Sequence, residues 1–178
     1  RIRIYRNRNI KYQFILMESY KKVKIGKGKK ERKVPLSYIP PSLSAEDKKK
    51  QEKSILKQEK RPKLKSFVSK RSPYVEQFEK KYGYKVSNKS KVTKNLISAT
   101  GYEQILDKGK AAYFTSGSRP NQNMFSWSMA RLASSLLFGP ASRIDKNILL
   151  KYGKNEILQK AKKKFETKNK TKENTKKK

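Results

Sequence analysis

Helical apolar spacing, a loop rich in Gly, Ser, Asn and Pro, and the sole tryptophan all fall in one stretch, Lys108 to Phe138. It is the long segment of this chain not dominated by lysine, so it bounds where a defined shape can form. Around it the chain repels itself. Lys and Arg number 48 against 14 Asp and Glu, a formal net charge of +34. Hydrophobic residues make up 34% and charged residues 35%, close to the border of disorder, so a small core with long tails is expected. The expected class is mainly α: a small helical domain with a central Gly/Ser/Asn loop, flanked by disordered Lys-rich arms.

A cationic surplus of this size points to a polyanionic partner. Nucleic acid comes first, because each neutralised phosphate releases counterions and strengthens binding. An anionic membrane surface comes second. Lysine-favouring codon usage accounts for part of the count but leaves the charge in place. Cysteine and histidine are both absent. That excludes disulfides, the usual zinc sites, and Ser-His-Asp or Cys-His chemistry within this chain. No metal and no cofactor is expected. No apolar run is long enough to span a bilayer, and Tyr12 to Met17 is too short for a secretory signal. The expected setting is a virion or a host-cell interior, not secretion. The chain opens at Arg1, and residues 1–16 before Met17 read either as a piece of something longer or as translated sequence upstream of the true start.

Four regions follow from the pattern. Residues 1–33 read as a basic disordered arm, in which Gly26-Lys-Gly28-Lys-Lys lacks the spacing of a phosphate loop. Residues 34–65 read as an extended Pro-rich segment followed by a polar helix from Ser44 to about Gln58. Ser44 caps it, with Asp47 answering at N3. Residues 66–158 read as the compact helical domain, and residues 159–178 as a disordered Lys-rich tail.

Within 66–158, Ser72-Pro73 starts a helix that buries Phe78 and stops at Gly83. A second spans about 89–99 and buries Leu96. A third, about 102–108, buries Ile105 and ends at Gly109. The last two, with Thr100-Gly101 between them, have the size of a helix-turn-helix. An ordinary αα corner fits as well, since Glu103 and Asp107 suit a DNA groove poorly. Ala111 to Phe114 reads as a short strand or an extended linker. After the loop, Asn121 or Asn123 caps a helix. Its apolar face is Phe125, Met129, Leu132, Ala133 and Leu136. Trp127 and Arg131 stand four apart, close enough to stack, and Trp127 is assigned to the core. Gly139-Pro140 stops that helix. Another follows from Ala141 to Leu150, with Ile144 and Ile148 inward.

The candidate phosphate site gathers Arg119 and Arg131 as guanidinium forks. Ser116, Ser118, Asn121 and Gln122 supply donors, Tyr113 a stacking ring, and Lys108 and Lys110 flanking charge. The competing reading is that the arginines tie the loop to its helix by bonding carbonyls. No catalytic residue is assigned, because Glu103, Asp107 and Asp145 are too scattered for a two-metal centre.

Several stretches carry a resemblance. They are Pro40-Pro-Ser-Leu-Ser with Asp47-Lys-Lys-Lys-Gln, Arg61-Pro-Lys-Leu-Lys-Ser-Phe, and Lys108-Gly-Lys-Ala-Ala-Tyr-Phe-Thr-Ser-Gly-Ser-Arg-Pro-Asn-Gln. Ser126-Trp, Ala130-Arg-Leu-Ala-Ser and Gly139-Pro-Ala-Ser-Arg with Asp145 complete the set. In that order they resemble an uncharacterised domain family of large eukaryotic DNA viruses, of the mimivirus and algal-virus kind, over residues 34–153. A looser form of the core is similar to segments of tailed-phage proteins. Ala111 stands where such relatives carry Gly, and Phe125 where a small or polar residue is usual. The resemblance implies a viral origin and no activity.

The expected function is therefore a non-enzymatic basic viral protein that binds nucleic acid through phosphate charge. The second reading is a minor virion or capsid-associated protein whose arms order on larger structural subunits.

Overall fold

A computed structural model describes residues 22–26, 28, 31–115, 117 and 119–166. The expectations for residues 1–21 and 167–178, and for Ser116 and Ser118, lie outside the described residues. The chain is mainly helical and divides into two compact units. Of the described residues, those up to 69 and those of 112–123 form one, and those of 70–111 and from 124 onward the other. This partition crosses the expected 66–158 boundary, because 112–123 groups with the Pro-rich segment and not with the helices around it.

In the first unit, β1 (Lys22–Ile25) pairs antiparallel with β2 (Arg32–Pro35), Val23 opposite Val34 and Ile25 opposite Arg32. Part of the expected disordered arm is thus a hairpin. Its alternation is simple: Lys22, Lys24 and Lys33 are exposed while Ile25 and Val34 are buried. Arg32 falls on the buried side of that alternation. A 3-10 turn (Leu36–Tyr38) leads to α1 (Ala45–Lys57), where Ser44 Oγ accepts from the Asp47 amide at 3.3 Å, as the cap predicts.

The Asp47 carboxylate does not reach back to Ser44. It accepts from the Ser66 amide at 2.9 Å and hydroxyl at 2.7 Å, while the Ser44 amide donates to Ser66 Oγ at 3.2 Å. Ser66 therefore closes the box from a distant loop. The buried face of α1 is Asp47, Gln51, Ser54 and Ile55, polar apart from Ile55. That is why the sequence reads as a free polar helix although the helix packs.

The second unit holds α2 (Pro73–Tyr82), α3 (Lys89–Asn95), α4 from Ala99, α5 (Met124–Leu136), α6 (Ala141–Ile144), α7 (Lys146–Tyr152) and α8 (Asn155–Phe165). Its core centres on Phe78, Leu96, Ile105, Leu132, Leu136, Leu149 and Ile157, with Ile148 at its edge. Each such apolar side chain contributes about 1.5–3 kcal/mol when withdrawn from water.

Three expectations change here. Helix α4 does not end at Gly109 but runs to Thr115, so 111–114 are helical and are neither strand nor linker. Gly109 serves close packing: a Cβ there would meet Ser128 Cα at 2.8 Å. Nor does Gly101 form a turn. Ser98 caps α4, its Oγ accepting from the Gly101 amide at 3.2 Å, and residues 96–98 make the corner. The Ser98 amide donates to the Tyr152 carbonyl and the Lys154 amide to Leu96, fixing that corner to the α7–α8 junction. Finally, α8 continues through Phe165 with Ala161 buried, so the tail expected from residue 159 begins in helix.

The apolar face of α5 is narrower than expected. Met129, Leu132, Ala133 and Leu136 are buried, Trp127 is only partly so, and Phe125 is 61% exposed. Ile144 is 66% exposed and not inward. The helix after Pro140 breaks at Asp145, which turns its own carboxylate into the interior and leaves Ile144 at the outer end of α6. Among the described residues no helix is long and apolar enough to cross a membrane.

Candidate anion site

The candidate phosphate residues fall apart into separate structural roles. Arg131 donates from Nε and Nη2 to Asp145 at 3.0 and 2.7 Å, and Ser135 Oγ donates to the same fully buried carboxylate at 2.7 Å. Arg131 is therefore occupied by an internal acid. Lys108 approaches Asp145 at 3.8 Å, and Lys110 pairs with Asp107 at 2.8 Å.

Asn121, in the left-handed region at φ 56°, turns its side chain to the segment after α1. Its Oδ1 accepts from the Leu64 amide at 2.7 Å and its Nδ2 donates to the Leu64 and Phe67 carbonyls. One side chain so imitates a strand partner for residues 64–67. Gln122 Nε2 donates to Ser69 Oγ at 3.3 Å, and the buried Tyr113 hydroxyl donates to the Gln122 carbonyl at 3.0 Å. Of the expected set, Arg119 alone is an exposed guanidinium with no hydrogen bond or ion pair to another described residue.

Arg119 is not isolated electrostatically. It and Arg61 both act on the buried Tyr38 hydroxyl in the first unit. Burial dominates there and pushes the phenol up to about 12, while Arg119 and then Arg61 pull the other way. Tyr38 is thus uncharged at any physiological pH.

Arg61 itself is buried. Its Nη1 donates to the Ser54 carbonyl at 2.9 Å and to the Glu59 carbonyl, its Nη2 to the Tyr113 carbonyl at 3.1 Å, and its plane lies over the Tyr113 ring at 5.5 Å. Burial lowers its pKa, and so does the nearby Arg32. Arg32 in turn donates to the Thr115 carbonyl at 2.6 Å and to Ile55 at 3.4 Å.

No carboxylate pairs with Arg32, Arg61 or Arg119 among the described residues. Four acids of this unit are engaged elsewhere, Glu31 with Lys24, Glu46 with Lys50, Glu59 with Lys57, and Asp47 with Ser66, and Glu52 pairs with no cation among the described residues. Three guanidiniums and a neutral phenol therefore share a neighbourhood whose internal partners are carbonyl dipoles. Such a site disfavours further cations and favours an oxyanion. Sequence reasoning missed Arg32, Arg61 and Tyr38. The signal for Arg61 was the Arg-Pro-Lys-Leu stretch. For Arg32 it was the Lys-x-Lys alternation of the hairpin, hidden by the abundance of lysine.

A protein-family model described as a family of unknown function (DUF5824) matches residues 35–151. The match takes in Arg61, Arg119 and the Arg131–Asp145 pair. No curated protein and no solved structure shows significant similarity to the chain.

Proposed function

The chain belongs to the DUF5824 family of unknown function, and we propose that it is a non-enzymatic basic protein that holds nucleic acid through phosphate charge. The observation that carries this reading is where the acids go. Glu31, Glu46, Glu59, Glu79, Glu103, Asp107, Asp145 and Glu156 each bind a Lys or Arg of the same chain. Glu52, Glu76 and Glu166 have no such partner among the described residues; apart from them, the unpaired charge is cationic and exposed. Lys48, Lys49, Lys53, Lys60, Lys63 and Lys65 in one unit, and Lys85, Lys91, Lys94, Lys146, Lys151 and Lys162 in the other, have no acidic partner among the described residues. Folding uses most of the carboxylates and leaves the surplus lysines facing water. Lysines so placed neutralise phosphates without reading bases. Arg119 adds a fork suited to a single phosphate oxygen pair.

A viral origin, with action inside a virion or host cell, goes with this proposal. It is supported by the resemblance over residues 34–153.

The test is a salt titration of the full chain on random-sequence duplex DNA. Affinity is expected to fall by about a hundredfold or more between 50 and 200 mM salt, as several released counterions require. A binding constant that barely moves over that range would sink the proposal. It would leave the second reading, in which the basic segments order on larger virion subunits.

A further inference from the structure

At the C-terminal end of α5, Phe138 adopts φ +58°, a left-handed conformation that is a true outlier for a bulky residue. The turn is a Schellman closure: the Gly139 amide donates to Ser134 and the Phe138 amide to Ser135. Glycine normally takes the position Phe138 holds. Here the glycine comes one residue later, where a Cβ would meet a Tyr74 ring atom at 2.7 Å and Ser134 Oγ at 2.8 Å. The left-handed phenylalanine costs roughly 1–2 kcal/mol, set against the packing of its ring on the helical core and beside Phe165, 6.4 Å between ring centroids.

That ring lines a cavity of about 340 Å³ together with Leu137, a size within the range of small-ligand sites. The wall also carries Lys81, Lys160, Lys163 and Lys164 and no acidic residue. Glu156, outside the wall, binds both Lys81 and Lys160. Lys164 donates to the Phe138 carbonyl at 2.6 Å and lies 5.6 Å from the Phe138 ring centroid and 5.8 Å from that of Phe165. The cations are thus placed around the aromatic floor.

A pure phosphate site needs no aromatic floor, and a duplex offers no unstacked base to fill one. Aromatic rings within a cationic groove are how proteins hold single strands without sequence choice. We propose that this pocket seats one unstacked base of single-stranded nucleic acid against Phe138, with the adjoining phosphates on the lysines. The proposal rests on the nucleic-acid reading above and adds a strand preference to it.

The experiment uses the full chain at fixed salt with three probes: an oligo-dT strand, an abasic phosphodiester of equal length, and a duplex. The wild type is expected to bind oligo-dT roughly tenfold tighter than the abasic chain, in line with one stacked base. Phe138→Gly is expected to remove that margin while leaving duplex affinity intact. Because relief of the left-handed strain offsets the packing lost against the core and Phe165, the variant's melting temperature should stay close to wild type, which separates lost contact from lost fold. Equal wild-type binding of oligo-dT and abasic chain would overturn the proposal. So would a Phe138→Gly protein that keeps the margin. Failure of all three probes to bind would overturn the general nucleic-acid reading as well.

Discussion

Arg131 and Asp145 form a two-pronged ion pair, 3.0 Å at Nε and 2.7 Å at Nη2, around a carboxylate with no exposed surface. The pair joins α5 to the break between α6 and α7. Its worth lies less in attraction than in what either partner costs alone. A buried charge without its counterpart destabilises by about 3–5 kcal/mol. Arg131→Ala is expected to lose that much in urea denaturation and to leave duplex-DNA affinity unchanged under native conditions. A stable Arg131→Ala protein with weakened DNA binding would return Arg131 to the phosphate site.

Asp47 makes stability depend on acid. Its pKa is lowered chiefly by the Ser66 amide and then by the Ser66 hydroxyl, both donating to the carboxylate. A carboxyl with a folded pKa below its unfolded value of about 3.9 contributes stability that is fully present above that value. The contribution is lost as pH falls through the folded pKa. Asp47→Asn is therefore expected to be less stable than wild type at pH 7, and the difference is expected to shrink toward pH 2. Denaturant melts of both proteins at the two pH values decide it. A gap of constant size would mean that the box works without its charge.

Gly109 lies inside α4, where alanine would ordinarily add about 0.8–1 kcal/mol. Here the Cβ would stand 2.8 Å from both Ser128 Cα and Ser128 Oγ. Backbone cannot yield as a side-chain end can, and overpacking of this kind costs about 1–3 kcal/mol. Gly109→Ala is expected to lower the melting temperature in spite of the better propensity. A rise would show that α4 and α5 relax apart at this point.

The elements legible in the sequence were those set by local chemistry. Ser44 before Ala-Glu-Asp, Pro73 at the start of its helix and Gly83 in the left-handed region at φ 73° all act within one turn of the residues they affect. The buried positions Met129, Leu132 and Leu136 follow from spacing alone. What depends on a distant partner was not legible. Gly109 reads as a stop unless Ser128 is known to face it. The α1 helix reads as solvent-facing because its buried side chains are satisfied by residues such as Ser66 and Arg61. Arg61 itself bonds carbonyls, which every residue has, so no partner type marks it. The candidate site was legible only at Arg119. Its neighbours come from the hairpin, the 3-10 turn before α1 and the segment after α1.

Arg119 and Arg61 separate binding from folding within one cluster. Arg61→Ala would strip donors from the Ser54, Glu59 and Tyr113 carbonyls in buried surroundings. Each unsatisfied group costs about 1–3 kcal/mol, so this variant is expected to be unstable and uninformative about ligands. Arg119→Ala removes an exposed guanidinium with no hydrogen bond to another described residue, so its melting temperature is expected to match wild type. Its effect should appear in two other places. The Tyr38 phenol, already near 12 with Arg119 the larger of the two charges holding it down, is expected to titrate still higher. The salt slope of duplex-DNA binding is expected to fall by about one counterion. A Tyr38 shift without a change in slope would place Arg119 beside the phenol but away from the phosphates. The acid-free cluster would then balance its charge on carbonyl dipoles alone.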